Sequence, residues 1–149
     1  MENWRAPGRS SVSTFIICEN AMEVIAFAEQ VFGAEKTRKP LMRSNGELWS
    51  AEIKIGDTTL MLSEATEDMR FPAFVYVQVE DVDATFEKAI AAGATEFMTP
   101  RDQFYGDRDG GVADKAGNVW WIGTHQKQLT DAEIEAGARK AEAAMAQSG

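Results

Sequence analysis

The sequence has one cysteine and one histidine among its 149 residues, and both scarcities limit its chemistry. Cys18 has no second cysteine to pair with, so no disulfide can form within the chain, which fits a reducing, cytoplasmic setting. His125 is isolated, whereas a metal site needs three or four convergent ligands. A lone histidine of this kind is more often solvated or capping than ligating. We therefore expect a cytoplasmic protein.

Long apolar runs and an excess of positive charge are missing as well. No apolar run approaches the ~18 residues of a membrane-spanning helix, so no membrane association is expected. Fifteen Lys and Arg stand against 24 Asp and Glu, for a net charge of −9. This balance disfavours nucleic acids and anionic membranes as partners, and its ordinary role is solubility. A single globular domain is the default at this length.

The signals at the helix ends are stronger than those at most strands. Asn20 is placed to cap a first helix, and Glu23 follows in the capping-box position. Apolar residues at helical spacing end at Gly33, which is typical of a C-terminal cap. A second helix is expected to begin at Asp81 or Asp83.

Alternation of side chains predicts how one central strand is oriented. Residues 48–55 alternate between apolar and polar, which is typical of a strand with one buried face. On this pattern Trp49, Ala51 and Ile53 share one face, and Glu52 lies on the other.

Landmarks along the chain repeat with a steady period. The helix-ending glycines Gly33 and Gly93 lie 60 positions apart, and the turn glycines Gly56 and Gly117 lie 61 apart. The order strand–helix–strand–strand–strand occurs twice, which indicates an internal duplication. Each unit would cover one sheet face with a helix and leave the other face to be buried by a second unit, in the same chain or in another. A homodimer is therefore expected.

These features resemble the vicinal-oxygen-chelate superfamily, the glyoxalase and bleomycin-resistance proteins, and in particular its PhnB-like branch. The resemblance rests on the paired modules, the Gly-Ala pair after each helix and the turn before the last strand, where Lys115 stands in place of the usual proline. The segments that carry it are Val31-Phe-Gly-Ala-Glu35, Ala51-Glu-Ile-Lys-Ile-Gly-Asp57, Leu60-Met-Leu-Ser63, Asp102-Gln-Phe-Tyr-Gly-Asp-Arg108 and Gly117-Asn through Trp121-Ile-Gly-Thr-His125.

The resemblance implies an α+β fold in which two tandem β-α-β-β-β modules form a curved, cleft-enclosing mixed sheet. We expect a loose N-terminal arm over residues 1–11 and the family domain over 12–128, with modules at 12–64 and 72–125. An extra C-terminal helix is expected over 129–149. Whether the modules pair within one chain or are exchanged between two chains is left open by the sequence.

Active relatives hold a divalent metal with one side chain from the first and last strand of each module. The resemblance places those positions at Ser13, Met61, Phe74 and Trp121. Serine and methionine are poor ligands for such ions, and the two aromatic residues are not ligands at all. We therefore expect neither the superfamily's metal nor another cofactor.

Strand parity predicts which other side chains face the cleft. Apolar and aromatic walls with a few polar groups are usual for a small-molecule pocket. The expected ligand-binding residues are Ser13, Phe15, Met61, Phe74, Tyr76, Trp121 and Arg108. The contrary interpretation is that the aromatic side chains pack against one another and close the cleft.

Three functions remain open on this basis. The first is metal-independent binding of a small aromatic or amphipathic molecule in the cleft between the modules. The second is a metal-dependent lyase or isomerase with Glu52 as general base, whose pKa would rise if it were buried among aromatic rings. In the simpler alternative Glu52 pairs with Arg108 or Lys54, or is solvated. The third is a structural or regulatory dimer without a ligand.

Overall fold

A computed structural model describes residues 4–148, which form nine strands and three helices. In chain order they are β1 (Thr14–Cys18), α1 (Ala21–Phe32), β2 (Glu35–Lys36), β3 (Leu41–Met42), β4 (Leu48–Ile55), β5 (Thr58–Glu64), β6 (Phe74–Gln78), α2 (Val82–Ala91), β7 (Thr95–Asp102), β8 (Asp107–Ala113), β9 (Val119–His125) and α3 (Asp131–Ser148). Residues 1–3 of the predicted arm and residue 149 of the predicted helix lie outside the described residues.

Each half of the chain forms its own mixed sheet, and the two sheets have the same strand order. The first sheet runs β1-β5-β4-β2, with β3 also pairing with β4, and the second runs β6-β9-β8-β7. The first and last strands of each half pair in parallel, β1 with β5 and β6 with β9. The predicted α+β fold with tandem modules and a C-terminal helix is thus confirmed. We call the two halves module 1 and module 2.

The helix-covered faces of both sheets contribute to one core. Helix α1 contacts β4 and β5, α2 contacts β7, β8 and β9, and the two helices contact each other. Trp120 of β9 is fully buried, and its ring centroid lies 5.9 Å from that of Phe27 and 5.3 Å from that of Phe32 on α1. Burial of large aromatic rings dominates the energetics of such a core. Module 2 therefore packs on the helix of module 1 within a single chain.

The opposite faces of the two sheets are not covered by α1 or α2, and the N-terminal segment covers only the part of module 1 around Glu52 and Thr59. We call these two faces the open faces of module 1 and module 2. Large apolar side chains on or beside them are exposed to solvent, including Phe74 at 63%, Phe97 at 56% and Phe15 at 43%. Groups of large exposed apolar side chains of this kind mark an interaction or ligand site.

The turn before the last strand is built around two polar side chains, the partly buried Asp114 and the buried Asn118. Asp114 accepts hydrogen bonds from the backbone of Ala116 and Asn118, from the Asn118 amide at 2.9 Å and from the Trp120 indole at 2.9 Å. Asn118 is fully buried and accepts from the backbone N–H of Ala73. Gly117 has φ of +92°, as the predicted turn requires. The turn therefore ties the end of module 2 to the start of β6.

Helix α1 is capped by a residue other than the predicted one, whereas α2 is capped by one of the two predicted residues. Asn20 lies in the left-handed region, with φ of 55°, and its side chain makes no cap. Glu64, at the end of β5, caps α1 instead by accepting from the backbone N–H groups of Asn20 at 2.9 Å and Ala21 at 3.0 Å. For α2, Asp81 is the cap and accepts from the backbone of Ala84. The sequence signal was local, whereas the cap of α1 comes from a strand distant in the sequence.

The predicted alternation in β4 is wrong at one residue. Trp49 is 59% exposed, although Ala51 and Ile53 are buried as expected. The pairing of β3 with β4 shifts by one residue between Leu41 and Met42, which leaves Trp49 as the extra residue of a bulge. A bulge reverses the side to which the preceding residues point, and it cannot be read from alternation alone.

The N-terminal segment is docked on module 1 over its described part. Arg9 reaches the carboxylate of Glu52 through two hydrogen bonds, of 3.2 and 3.1 Å. The carbonyl oxygen of Gly8 accepts from the hydroxyl of Thr59 at 3.3 Å. At the other end, Thr130 and Glu133 form a capping box at the start of α3, exchanging hydrogen bonds of 3.1 and 3.2 Å.

Candidate functional site

On the open face of module 1, three predicted site residues form one row across the sheet. Phe15 pairs in register with Met61, and Met61 pairs in register with Glu52. Ser13 precedes the first residue of β1 and is partly exposed. The row joins two apolar side chains to one carboxylate, as strand parity predicted.

On the open face of module 2, aromatic rings lie together. Phe74 stacks on Trp121 with ring centroids 5.8 Å apart, and Phe97 meets Trp121 edge-on at 6.2 Å. The Trp121 ring lies over Gly111, where an added Cβ would come within 2.7 Å of it. Glycine inside a strand commonly marks such a close approach. We call Phe74, Phe97 and Trp121 the aromatic patch.

Next to the aromatic patch lies a polar network that the sequence analysis did not identify. Asp109 of β8 is fully buried and accepts hydrogen bonds from the side chains of Gln103 at 2.9 Å, Tyr76 at 3.3 Å and Tyr105. The Tyr76 ring crosses Gly123, where a Cβ would overlap its hydroxyl group. We call these residues the Asp109 network. Glycines within strands β8 and β9 were the available signal.

The two tyrosines of the Asp109 network are held in their protonated form. Burial, followed by the negative charge of Asp109, raises the pKa of Tyr76 to about 12. Burial and the hydrogen bond to Asp109 also raise the pKa of Tyr105. The phenols are therefore hydrogen-bond donors at neutral pH, and neither is a base.

Asp107 extends the network to the surface. Its carboxylate lies 2.7 Å from Nδ1 of His125 and 3.5 Å from the Tyr76 hydroxyl. His125 is half exposed, with 51% of its side chain accessible. The single histidine thus pairs with a carboxylate at the end of β9.

Glu52 is paired, but not with the residues expected from the sequence. Its partners are Arg9, in two hydrogen bonds, and Arg38, whose Nε lies 3.9 Å away. The hydrogen bonds from Arg9 lower the pKa of Glu52 below its ordinary value of 4.5. The expected partners Arg108 and Lys54 were wrong, since the cation comes from the N-terminal segment.

Arg108 lies on the helix side of its sheet. It makes two hydrogen bonds to Asp83 of α2, at 2.9 and 3.0 Å, and one to Asp102 at 3.4 Å. Its register partner Thr124 accepts from the backbone N–H of Val82, which also places this side toward α2. The structure therefore separates Arg108 from the aromatic patch.

The predicted residues fall into two groups within one chain. Among residues 4–148, no hydrogen bond or ring contact joins the row of Phe15 to the aromatic patch. A cavity of about 860 Å³ lies between the modules and includes Tyr76. A second cavity, of about 360 Å³, includes Glu52. Phe15, Met61, Phe74 and Trp121 line neither of these cavities.

The four positions that the resemblance assigns to metal ligands lie in two separate places within the chain. Ser13 and Met61 are partly exposed on module 1, while Phe74 and Trp121 stack on each other in module 2. In the described part of the chain, no group of three or more His, Cys, Asp or Glu side chains is arranged to hold a metal ion. The donor set at these positions does not fit the superfamily's divalent ion.

The fold and the duplicated modules define a class of protein. Residues 11–122 match the family described as the Glyoxalase/Bleomycin resistance protein/Dioxygenase superfamily, and the chain belongs to that family. The resemblance predicted from the sequence is thereby confirmed.

Similar proteins are found both by sequence and by structure. The uncharacterized protein Mb0911c of Mycobacterium bovis is 32% identical over 139 residues, covering 85% of this chain and 90% of that protein. TioX from Micromonospora sp. ML1 has a TM-score of 0.60 at 23% identity and covers 81% of this chain and 100% of its own. A PhnB protein from Bacillus cereus has a TM-score of 0.61 at 18% identity, with coverages of 77% and 99%. The fosfomycin resistance protein FosX from Listeria monocytogenes has a TM-score of 0.60 at 19% identity, with coverages of 84% and 97%.

No helix within residues 4–148 is both long and apolar enough to cross a membrane.

Proposed function

We propose that this protein binds a small aromatic or amphipathic molecule at its open sheet faces without using a divalent metal. The observation that carries the proposal is the aromatic patch, in which Phe74 and Trp121 stack while Phe74 stays 63% exposed. Stacked rings with free faces suit a planar ligand, because aromatic pairs add attraction beyond the burial of area.

The polar groups beside the patch favour a ligand with a hydrogen-bonding end. Tyr76 is partly exposed and reaches two carboxylates, Asp107 and Asp109, from the edge of the patch. A few polar groups at the rim of apolar walls usually fix the orientation of a small molecule. FosX shares this fold and is a fosfomycin resistance protein, which agrees with a fold used for small molecules.

We further propose that a second copy of the chain covers the open faces. The helix-covered faces already share one core, whereas Phe74, Phe97 and Phe15 on the open faces stay exposed within residues 4–148. A homodimer would bring a sheet of one chain over a sheet of the other and enclose the ligand between chains. A cytoplasmic location remains part of this proposal and rests on the single cysteine.

The alternative is a metal-dependent lyase or isomerase with Glu52 as general base. The structure offers this alternative little support, because Arg9 lowers the pKa of Glu52 and so weakens it as a base. Metal analysis of the purified protein separates the two functions. A stoichiometric divalent metal would favour the enzyme.

The neutral dye N-phenyl-naphthylamine, whose fluorescence rises on an apolar surface, is a direct probe of the binding proposal. We expect saturable binding of the dye, with an affinity that falls by tenfold or more in Trp121→Ala. Aromatic side chains at the centre of a contact commonly contribute most of the binding energy. Trp4→Ala is the matched control, because Trp4 is 73% exposed and lies outside the patch. Unchanged affinity in Trp121→Ala, with the variant folded by circular dichroism, would contradict the proposed site.

A further inference from the structure

A basic cavity lies where the N-terminal segment crosses module 1. Its volume is about 360 Å³, and it is lined by residues 6–9, Thr37, Arg38, Glu52, Lys54 and Thr59. Arg9, Arg38 and Lys54 are positively charged and Glu52 alone is negative. This local excess stands out in a chain of net charge −9.

One cation is sufficient to neutralise Glu52. Arg9 donates from Nε and Nη2 to the two carboxylate oxygens, at 3.2 and 3.1 Å, which is a bidentate pair. The Glu52 side chain is only 12% exposed, so this pair is shielded from bulk water. A guanidinium carries five N–H donors, so Arg9 keeps further donors beyond those given to Glu52.

The other two cations have unused donor capacity. Arg38 lies 3.9 Å from Glu52, which is an ion-pair distance beyond normal hydrogen-bonding range. Within residues 4–148, the Lys54 ammonium group forms no ion pair or hydrogen bond. Glu52 and Lys54 are two apart on β4 and therefore lie on the same side of the strand. Three cationic groups thus line one small cavity with a single carboxylate to balance them.

We propose that this cavity binds the oxyanion group of a small molecule, either a phosphate or a carboxylate. Arginine recognises both groups through paired N–H donors, and lysine adds a point charge. The volume is within the range of small-ligand sites. Glu52 serves here as a positioning residue that holds Arg9 and the N-terminal segment in place. The site lies at the part of the open face of module 1 where the N-terminal segment is docked, whereas the aromatic patch lies on module 2.

Calorimetric titration at physiological salt tests the proposal with two anionic probes and one neutral probe. Inorganic phosphate and benzoate distinguish the two oxyanions, and benzamide matches benzoate without the charge. We expect saturable binding of at least one anion and none of benzamide at this cavity. Arg38→Gln and Lys54→Gln should each lower the affinity for the anion by about tenfold, in line with the loss of a charge-assisted hydrogen bond.

Lys39→Gln is the matched control, because Lys39 is adjacent to Arg38 in sequence but is not among the lining residues. It removes the same charge from the same region and should leave the affinity unchanged. The proposal is overturned if neither anion binds saturably, or if all three variants weaken binding equally, which would indicate general surface charge.

Failure of this proposal is distinguishable from failure of the binding site on module 2. The neutral dye reports on the aromatic patch and should bind Arg38→Gln and Lys54→Gln as it binds the parent protein. Loss of anion binding alone therefore concerns only the basic cavity. Loss of dye binding in Trp121→Ala concerns only the patch.

Discussion

Asp109 shows how a buried carboxylate is made tolerable without a cation. Its three donors are neutral side chains: Tyr76 reaches it from β6, and Gln103 and Tyr105 reach it from the loop between β7 and β8. Burying a charge is costly unless hydrogen bonds replace its lost hydration. The arrangement depends on Gly123, since any larger residue would meet the Tyr76 ring.

The tyrosines make the Asp109 network directly measurable. The chain has two tyrosines, and both belong to the network. Both pKa values are raised, and that of Tyr76 to about 12, so their stabilisation is complete below the ordinary value of 10 and is lost as pH rises from 10 toward 12. We expect tyrosinate absorbance in the near ultraviolet to appear only well above pH 10, together with loss of stability.

Asp109→Asn is the variant that identifies the cause. Removing the carboxylate should move both tyrosine transitions downward, while Asp102→Asn, at a carboxylate paired with Arg108, should leave them unchanged. A parent protein in which both tyrosines ionise near pH 10 while still folded would show that the network does not exist.

At the scale of elements, the start of α1 depends on a residue of another strand. The sequence predicted a local cap at Asn20, but the backbone there turns into the left-handed region, and Glu64 accepts its N–H instead. The carboxylate also complements the positive end of the helix dipole. Helix α1 is consequently anchored to the end of β5.

Removing this cap should cost stability without disturbing the core. We expect Glu64→Ala to lower the free energy of unfolding by about 1–2 kcal/mol, the usual loss for a helix cap, as measured by urea denaturation. Glu64→Gln keeps an acceptor and should lose less. Glu19→Ala is a suitable control, because its exposed pair with Arg70 should contribute little. Equal stability of Glu64→Ala and the parent would rule out the cap.

At the scale of the whole molecule, the open faces are the least satisfied part of the structure. Phe74, Phe97 and Phe15 stay exposed because the helices cover only the opposite faces. Large exposed apolar side chains on one surface favour association between protein chains, and closed two-fold dimers are the commonest result.

A charge placed on the open face tests the dimer. Phe74→Glu should fold as the parent does, since Phe74 is 63% exposed in the single chain, but its dimer should dissociate at least tenfold more readily because the charge would be buried there. Light scattering coupled to size-exclusion chromatography measures this. Ile90→Glu, at a 39% exposed position of α2, serves as the control and should remain dimeric. A parent protein that is monomeric at all concentrations would contradict the proposal.

Periodic burial was predictable because it is a local property of the sequence. Alternation placed Ala51 and Ile53 on one face of β4, and both are buried. The duplication followed from glycine spacing, and the poor ligand chemistry of Ser13 and Trp121 followed from their identity. Where a bulge intervenes, at Trp49, the same local rule failed.

Local sequence patterns were enough to predict two modules, the side of each sheet that faces a helix, and the residue types at the four metal positions. Tertiary structure alone decided that Arg9 pairs with Glu52, that Glu64 caps α1 and that two tyrosines meet on Asp109. The physical reason is the distance along the sequence that separates the interacting residues. Apolar periodicity is set by neighbours a few residues apart, whereas a charged group takes whichever donor the folded chain brings to it from far along the sequence.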